Sequence, residues 1–445
     1  WDFDHYDVYD FPIIAISYAW LEKDHPDPRG DILRLIARHI QQHLEIGTFG
    51  IFWDYASIYQ HPGKGQRRNP QQEELFQQGL GALGVLYSHP DTIIYRVKNF
   101  PPGYYPRNAM PASYESRGWP FTESAWASMT KASGKFQDLK FTNKSILESK
   151  WVPKVVQMGA SYFDLINRHR PPPLRPVLFE QLLKNRVFTN DFEDRPMVIK
   201  LYQDYFDHHF QNVKDLVFDM QSWNTDNQSQ LVDLLSHGHA PALSSLQLQY
   251  GPALTKSCPG LAEALANQCR TFVSLEIMDN AVGDEGVKGL DSVLVQIGVL
   301  KLEKCQISPT GCRYMARALS LRLRDESTFW LRRLTLDRNP IGWHGLSELA
   351  PILCHLESLS VWGCEISDSG CDYLALHFVQ EEKTYGRHHK LRHLDLSDNG
   401  IGPRGCQSLE KFVKLPTSDE VESRFHQPPT IDLKFNNDIS EDALQ

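Results

Sequence analysis

The stretch RGWPFTESAWAS (117–128) sets an arginine, two tryptophans and a single glutamate within twelve positions. A carboxylate among large rings and a planar guanidinium can form a reactive cleft. The rings exclude water, the cation engages an anion, and the desolvated acid takes an unusual pKa. The same stretch reads equally as a plain helix start, with Pro120 in the first turn and Glu123 as an acid at the positive helix end. Ser17 and Tyr18 close an apolar run, FPIIAIS (11–17), and Asp54 lies near the end of a second, FGIFWDYAS (49–57). In open α/β sheets, ligands bind at the carboxyl ends of the strands. Ser17, Tyr18, Asp54, Arg117, Trp119 and Glu123 are therefore the candidate site, with Glu123 as the working acid. Each also has a structural explanation: Asp54 capping a turn, Trp119 filling a core, Arg117 pairing with an acid.

The elements that would position these residues lie within residues 1–135, where strand-like and helix-like segments alternate. FPIIAIS is a near-continuous apolar run, as a parallel strand buried on both faces requires. RGDILRLIARHIQQHLE (29–45) carries apolar residues at 32, 33, 35, 36, 40 and 44, a helical stripe. A strand at 49–57, a helix at 71–89, a strand at 91–97 and a helix from the opening stretch complete a β-α-β-α-β-α order. This order predicts a small parallel sheet of the flavodoxin kind with helices on both faces. GLGALG (79–84) matches G-x-G-x-x-G, but it sits inside a helical segment rather than between strand and helix, and is read as close helix packing. HPGKGQRR (61–68) lacks the P-loop spacing, and His208–His209 are read as a solvated helix face.

Residues 136–240 read as a helical connector. From about 241 the chain repeats itself: LQLQYG (246–251), LEIMDN (275–280), LKLEKC (300–305), LTLDRN (334–339), LSVWGC (359–364), LDLSDN (394–399) and IDLKFN (431–436). These seven units follow the leucine-rich-repeat pattern and predict an α/β solenoid over 241–445. Their alternation of Asn and Cys at the sixth position resembles the ribonuclease-inhibitor subtype, in which that side chain caps backbone groups inside the turn. All eight cysteines lie between Cys258 and Cys406, without C-x-x-C spacing or flanking histidines. Buried thiols, no metal and no disulfides are expected. Polar inserts near 320–329, 380–390 and 415–429 suit either contact loops or tolerated surface insertions.

The formal net charge of −9 over 445 residues argues against a general nucleic-acid or anionic-membrane binder. No apolar run reaches the eighteen or so residues of a membrane span. WDFDHYDVYDFP is no signal peptide. A cytoplasmic location is the default, and sequons at Asn143 and Asn227 carry little weight there. The missing initiator Met, and a last residue inside a repeat, lead to the expectation that both termini are truncated.

IAISYAW, GIFWDYASIYQ, a helix ending LYSH, and RGWPFTE occur in the order of the blocks of fungal heterokaryon-incompatibility (HET) domains. The matching positions are Ser17, Tyr18, Trp20, Trp53, Asp54, Ile58, Gln60, Tyr87, Arg117, Gly118, Trp119 and Glu123. HET domains are similar to TIR domains, which share the Trp-to-Glu interval. Leu21, Ser57 and Thr122 depart from the HET pattern. The resemblance spans about residues 10–130 and implies a TIR-like fold. It also implies that Glu123 is the acid some TIR domains use to cleave NAD⁺, a substrate rather than a cofactor. Tyr18 and Trp119 would pack on a ring, and Arg117 would engage the pyrophosphate. Together with the repeats it implies a signalling sensor of the innate-immunity kind, with a protein ligand on the repeats and self-association of the TIR-like domain. A non-enzymatic protein-interaction scaffold stays open, as does a ribonuclease-inhibitor-like binder with a vestigial N-terminal domain.

Overall fold

β-Branched and aromatic residues build the first strand, β1 (Ile13–Tyr18), whose residues 14–18 are all buried. The computed structural model describes residues 13–22, 25–41, 49–60, 67–89, 91–104, 113–130, 136–141, 171–188, 190–221, 223–269, 271–321, 331–385, 389–414 and 429–436. The sequon at Asn143, most of the three polar inserts and both chain ends lie outside the described residues. The chain divides into two compact units, Trp1–His209 and Phe210–Gln445.

In the first unit, β1 is flanked by β2 (Gly50–Phe52) and β3 (Thr92–Val97), and β3 pairs with β4 (Phe136–Leu139). All pairings are parallel and the order is β2-β1-β3-β4. Ile14, Ile16 and Tyr18 point to one face, where they form a core with Ile32, Leu35 and Ile36 of α1 (Asp31–Gln41). Ala15 and Ser17 point to the other face, as the period of two demands. The remaining helices here are α2 (Asp54–Ser57), α3 (Pro70–Ser88) and α4 (Gly118–Thr130). Asn69 and Gln72 form a reciprocal capping box that, with Pro70, starts α3. The expected strand at 49–57 is shorter than its apolar run suggests. Trp53 is extended, and the chain turns into helix at Asp54, whose carboxylate accepts from the Tyr55 backbone N–H at 2.6 Å.

The connector expected over 136–240 is not a purely helical segment. Its β4 edges the first sheet. Its first two helices, α5 (Pro176–Leu183) and α6 (Asp191–Asn212), are followed by a strand, β5 (Asp215–Asp219), which belongs to the second sheet, and by a third helix, Thr225–Ser236. Within the first unit, Phe121 of α4, Phe179 of α5 and Tyr202 of α6 stack with ring centroids 5.5 and 3.7 Å apart. The sequence reading ran α6 and β5 together because LVF follows a long amphipathic helix, with Val198, Tyr202, Phe206 and Phe210 buried, after only a two-residue break.

The second unit is an eight-stranded parallel sheet in strictly sequential order, β5 through β12, with the seven strands after β5 at Ser245–Gln249, Ser274–Met278, Val299–Glu303, Arg333–Thr335, Ser358–Ser360, His393–Asp395 and Thr430–Asp432. The sequence showed seven of these units and missed the first, in which Leu216 and Phe218 take the places of Leu246 and Leu248.

Candidate functional site

Three strand ends deliver the candidate residues to one crevice. In a sheet of order 2-1-3-4, the chain leaves β1 and β3 toward opposite faces, which opens a gap above their carboxyl ends. Ser17 and Tyr18 finish β1, Asp54 follows β2, and Arg117 and α4 follow β3.

Glu123 is the sixth residue of α4, beyond its first turn, so it is not the helix-end acid considered for the sequence. It is 7% exposed. Its Oε2 accepts from the Ser17 hydroxyl, which also lies 2.5 Å from the Tyr114 hydroxyl. Burial pushes the Glu123 carboxyl up to about 8. The Ser17 and Tyr87 hydrogen bonds pull it down, and the nearby charge of Asp54 pushes it up.

Asp54 forms a second polar cluster. Its Oδ1 accepts from the Tyr18 hydroxyl at 2.8 Å, and its Oδ2 accepts from the Trp20 indole N–H at 3.2 Å. Burial raises its pKa against the pull of these bonds, and burial together with Asp54 raises that of the Tyr18 hydroxyl. Arg117 is buried and donates to the Trp20 carbonyl at 3.3 Å. Burial lowers its pKa. The Trp119 indole donates to Asp194, a carboxyl that burial holds above its ordinary range.

Tyr18, Asp54, Arg117, Trp119 and Glu123 all line one cavity of about 230 Å³. Ser17 is absent from its wall and anchors Glu123 from behind. Sequence reasoning missed a whole side of this cavity, formed by Val187, Phe188, Asp194 and Met197. Those residues fall in the expected connector, and their approach is encoded at Gly118. A Cβ there would stand 2.0 Å from the Phe188 ring. Backbone bonds fix the approach, with Gly118 N–H donating to the Val187 carbonyl at 3.0 Å and Val187 N–H to that of Ser116 at 2.8 Å. The GLGALG run lies within α3, where a Cβ on Gly84 would meet the Tyr205 ring of α6 at 2.7 Å. Close helix packing accounts for that glycine.

Chemically, the cavity offers three desolvated carboxyls, Asp54, Glu123 and Asp194, one guanidinium and a wall of mixed aromatic and aliphatic side chains. A carboxylate in such a low-dielectric setting stabilises positive charge developing beside it far more than it would in water. Among the described residues, no group of three or more His, Cys, Asp or Glu side chains is placed to hold a metal.

In the second unit, the sixth-position side chains form a ladder. Asn339 Oδ1 accepts from the backbone N–H groups of Cys305 and Ile307 at 2.9 and 3.1 Å, and its Nδ2 donates to the carbonyls of Leu302 and Leu336, both at 2.7 Å. Asn399 repeats the pattern on Cys364 and Ile366. The Cys305 and Cys364 thiols donate to the carbonyls of Ile277 and Leu336 at 3.3 and 3.1 Å. Seven cysteines are buried, Cys406 is partly so, and all eight are free. The ladder sustains a left-handed turn at the fifth position of every unit from Tyr250 to Phe435, with φ of 55, 50, 52, 55, 61, 53 and 60°.

The comparisons with known proteins fall on this architecture. The family model "Leucine Rich repeat" matches residues 268–290, 353–375 and 387–409. The second unit carries leucine-rich repeats. The chain is similar to pig (Sus scrofa) "Ribonuclease inhibitor", 31% identical over 182 residues, covering 39% of this chain and 37% of that protein. It is also similar to human (Homo sapiens) "NACHT, LRR and PYD domains-containing protein 5", 28% identical over 185 residues, 40% of this chain and 14% of the relative. The chain thus spans well under half the length of these relatives. A solved internalin from Listeria monocytogenes matches 49% of this chain and 62% of its own at 16% identity, with a TM-score of 0.28. The repeats are of the ribonuclease-inhibitor and NACHT-LRR type. No helix among the described residues is long and apolar enough to cross a membrane.

Proposed function

We propose that the chain is a cytoplasmic sensor–effector in which the repeats bind a protein partner and the N-terminal unit is a TIR/HET-like effector that cleaves the nicotinamide–ribose bond of NAD⁺. The observation that carries the effector half is Glu123, held by Ser17 on the wall of a cavity at the switch point of the sheet. Cleavage of the C1′–N1 bond returns its electron pair to the nicotinamide ring, so the leaving group needs no proton. The ribose passes through an oxocarbenium-like state, which water then captures. Ionised Glu123 would stabilise that cation. Trp119 and Tyr18 would pack on the ring, and Arg117 would engage the pyrophosphate. At about 230 Å³ the cavity falls below the roughly 300–1,000 Å³ of sites that enclose a drug-sized ligand, so it would take the nicotinamide riboside end and leave the adenosine outside. The protein-binding half rests on the repeats and on the pig relative, whose name describes the inhibition of another protein.

That small volume and the burial of Glu123 also favour a second reading, a non-enzymatic scaffold with Glu123 as a neutral buried acid. Nicotinamide release from NAD⁺ by concentrated and by cross-linked full-length chain decides between them, because self-association is the expected trigger. Release abolished by Glu123→Ala, with the variant still folded by circular dichroism, supports the enzyme. Equal background from both proteins under both conditions supports the scaffold.

A further inference from the structure

Behind Glu123 stand two buried hydroxyls that are absent from the cavity wall, those of Ser17 and Tyr114. Tyr114 opens a single 3₁₀ turn, Tyr114–Ser116, between β3 and α4. The turn is held at both ends. The Ser113 hydroxyl accepts from the Ser116 N–H at 3.2 Å, and the Arg117 N–H donates to the Tyr114 carbonyl at 3.2 Å. A hydroxyl has one proton to give and two lone pairs to receive. Ser17 gives its proton to Glu123 Oε2, so across the 2.5 Å to the Tyr114 hydroxyl it accepts and Tyr114 donates. The Tyr114 oxygen lies 3.4 Å from the Ser124 hydroxyl, on the residue next to Glu123. The order Ser124–Tyr114–Ser17–Glu123 therefore directs each proton toward the carboxylate.

We propose that Tyr114 is a positioning residue for Glu123: by donating to Ser17 it fixes the Ser17 proton on the Glu123 carboxylate. The inference rests on the reading that ionised Glu123 is the working group. Without the Tyr114 donor, the Ser17 hydroxyl turns freely about its C–O bond. With it, the bond to the carboxylate is both aligned and polarised, and bonds to a charged acceptor gain most from such alignment. The groups facing Glu123 come from several elements. Tyr18 ends β1, Asp54 begins α2, Tyr87 belongs to α3, and Arg117 and Asp194 share its cavity wall. Asp54 opposes ionisation, and the Ser17 and Tyr87 bonds favour it. Burial and the Glu123 charge push the Tyr114 hydroxyl above its ordinary range, against the pull of Arg96, so it keeps its proton while Glu123 titrates.

The test is an infrared titration of the full-length chain, in which a protonated buried carboxyl absorbs apart from ionised carboxylates and backbone amides. The band lost in Glu123→Gln belongs to Glu123, and its midpoint is expected at about 8 in the parent chain. Tyr114→Phe removes one oxygen, keeps the ring, and should raise that midpoint by about half a pH unit. Ser17→Ala cuts the chain one link nearer and should raise it by about one unit or more, after which adding Tyr114→Phe should change nothing further. Below pH 7, kcat for nicotinamide release by Tyr114→Phe should fall about threefold with KM unchanged, since Tyr114 touches no substrate. Melting curves check that each variant folds. If Tyr114→Phe does not, Ser124→Ala interrupts the same chain from its far end and should raise the midpoint by less. An unmoved or lowered midpoint in the folded variant, or the same shift from Tyr114→Phe with and without Ser17, would overturn the assignment. The titration needs no turnover. A parent chain that releases no nicotinamide but shows these shifts contradicts the enzyme reading and leaves the role of Tyr114 standing.

Discussion

Glu123 is where burial and ionisation meet most sharply. Its carboxyl is pushed up to about 8 by desolvation, well above the 4.5 of the unfolded chain. A carboxyl raised in the folded state contributes fully to stability below its unfolded pKa, and that contribution is lost as pH rises through the folded value. Ionising Glu123 therefore costs stability between about pH 4.5 and 8, at roughly 1.4 kcal/mol per unit of separation. Glu123→Gln removes the ionisation and keeps an acceptor for Ser17. Its melting temperature is expected to match that of the parent chain near pH 4.5 and to exceed it increasingly toward pH 8.5, measured by calorimetry. A constant offset across that range would mean that Glu123 is not desolvated as described. The same residue illustrates what sequence can show. The residue types in RGWPFTE pointed to a site, but the choice between a first-turn acid and a buried one depended on Ser17, more than a hundred positions away.

At the scale of elements, the approach of residues 186–188 to the start of α4 tests how the cavity is held. Gly118→Ala places a methyl group 2.0 Å from the ring of Phe188, a buried side chain that must shift to admit it. The expected loss is about 1–3 kcal/mol in urea unfolding, the usual cost of overpacking. Nicotinamide release should fall as well, because Trp119 follows directly. Asn339→Ala strips four hydrogen bonds from buried backbone and is expected to cost roughly 2–4 kcal/mol. Asn339→Cys should cost less, since Cys305 and Cys364 cap the same turn from equivalent positions. The repeats were legible because period and chemistry coincide in nearly every unit: residues such as Leu246 and Leu248 face the core, and the sixth residue caps in all of the seven units but that of Gly251. The first unit escaped because the Leu–x–Phe of β5 lacks that sixth-position signal, and Gly251 beside it is forced by Met220, whose Cε would lie 2.3 Å from a Cβ. No local pattern announces a contact of that kind.

For the whole molecule, the consequence is that the site does not end where the strand–helix alternation ends. Phe188, Asp194 and Met197 wall the cavity from beyond residue 135. A fragment ending at 135 is expected to release no nicotinamide, while one ending at 209, the limit of the first compact unit, is expected to retain whatever activity the full chain has. Equal activity of the two fragments would show that this wall is dispensable. The most direct measurement of the central claim is kcat/KM for nicotinamide release from NAD⁺ by the full-length chain between pH 5.5 and 9.5. Ionised Glu123 as the working group requires a rate that rises with pH and levels off above about 8, and that Glu123→Gln abolishes at every pH. No release at any pH, or a profile that Glu123→Gln leaves unchanged, would contradict it.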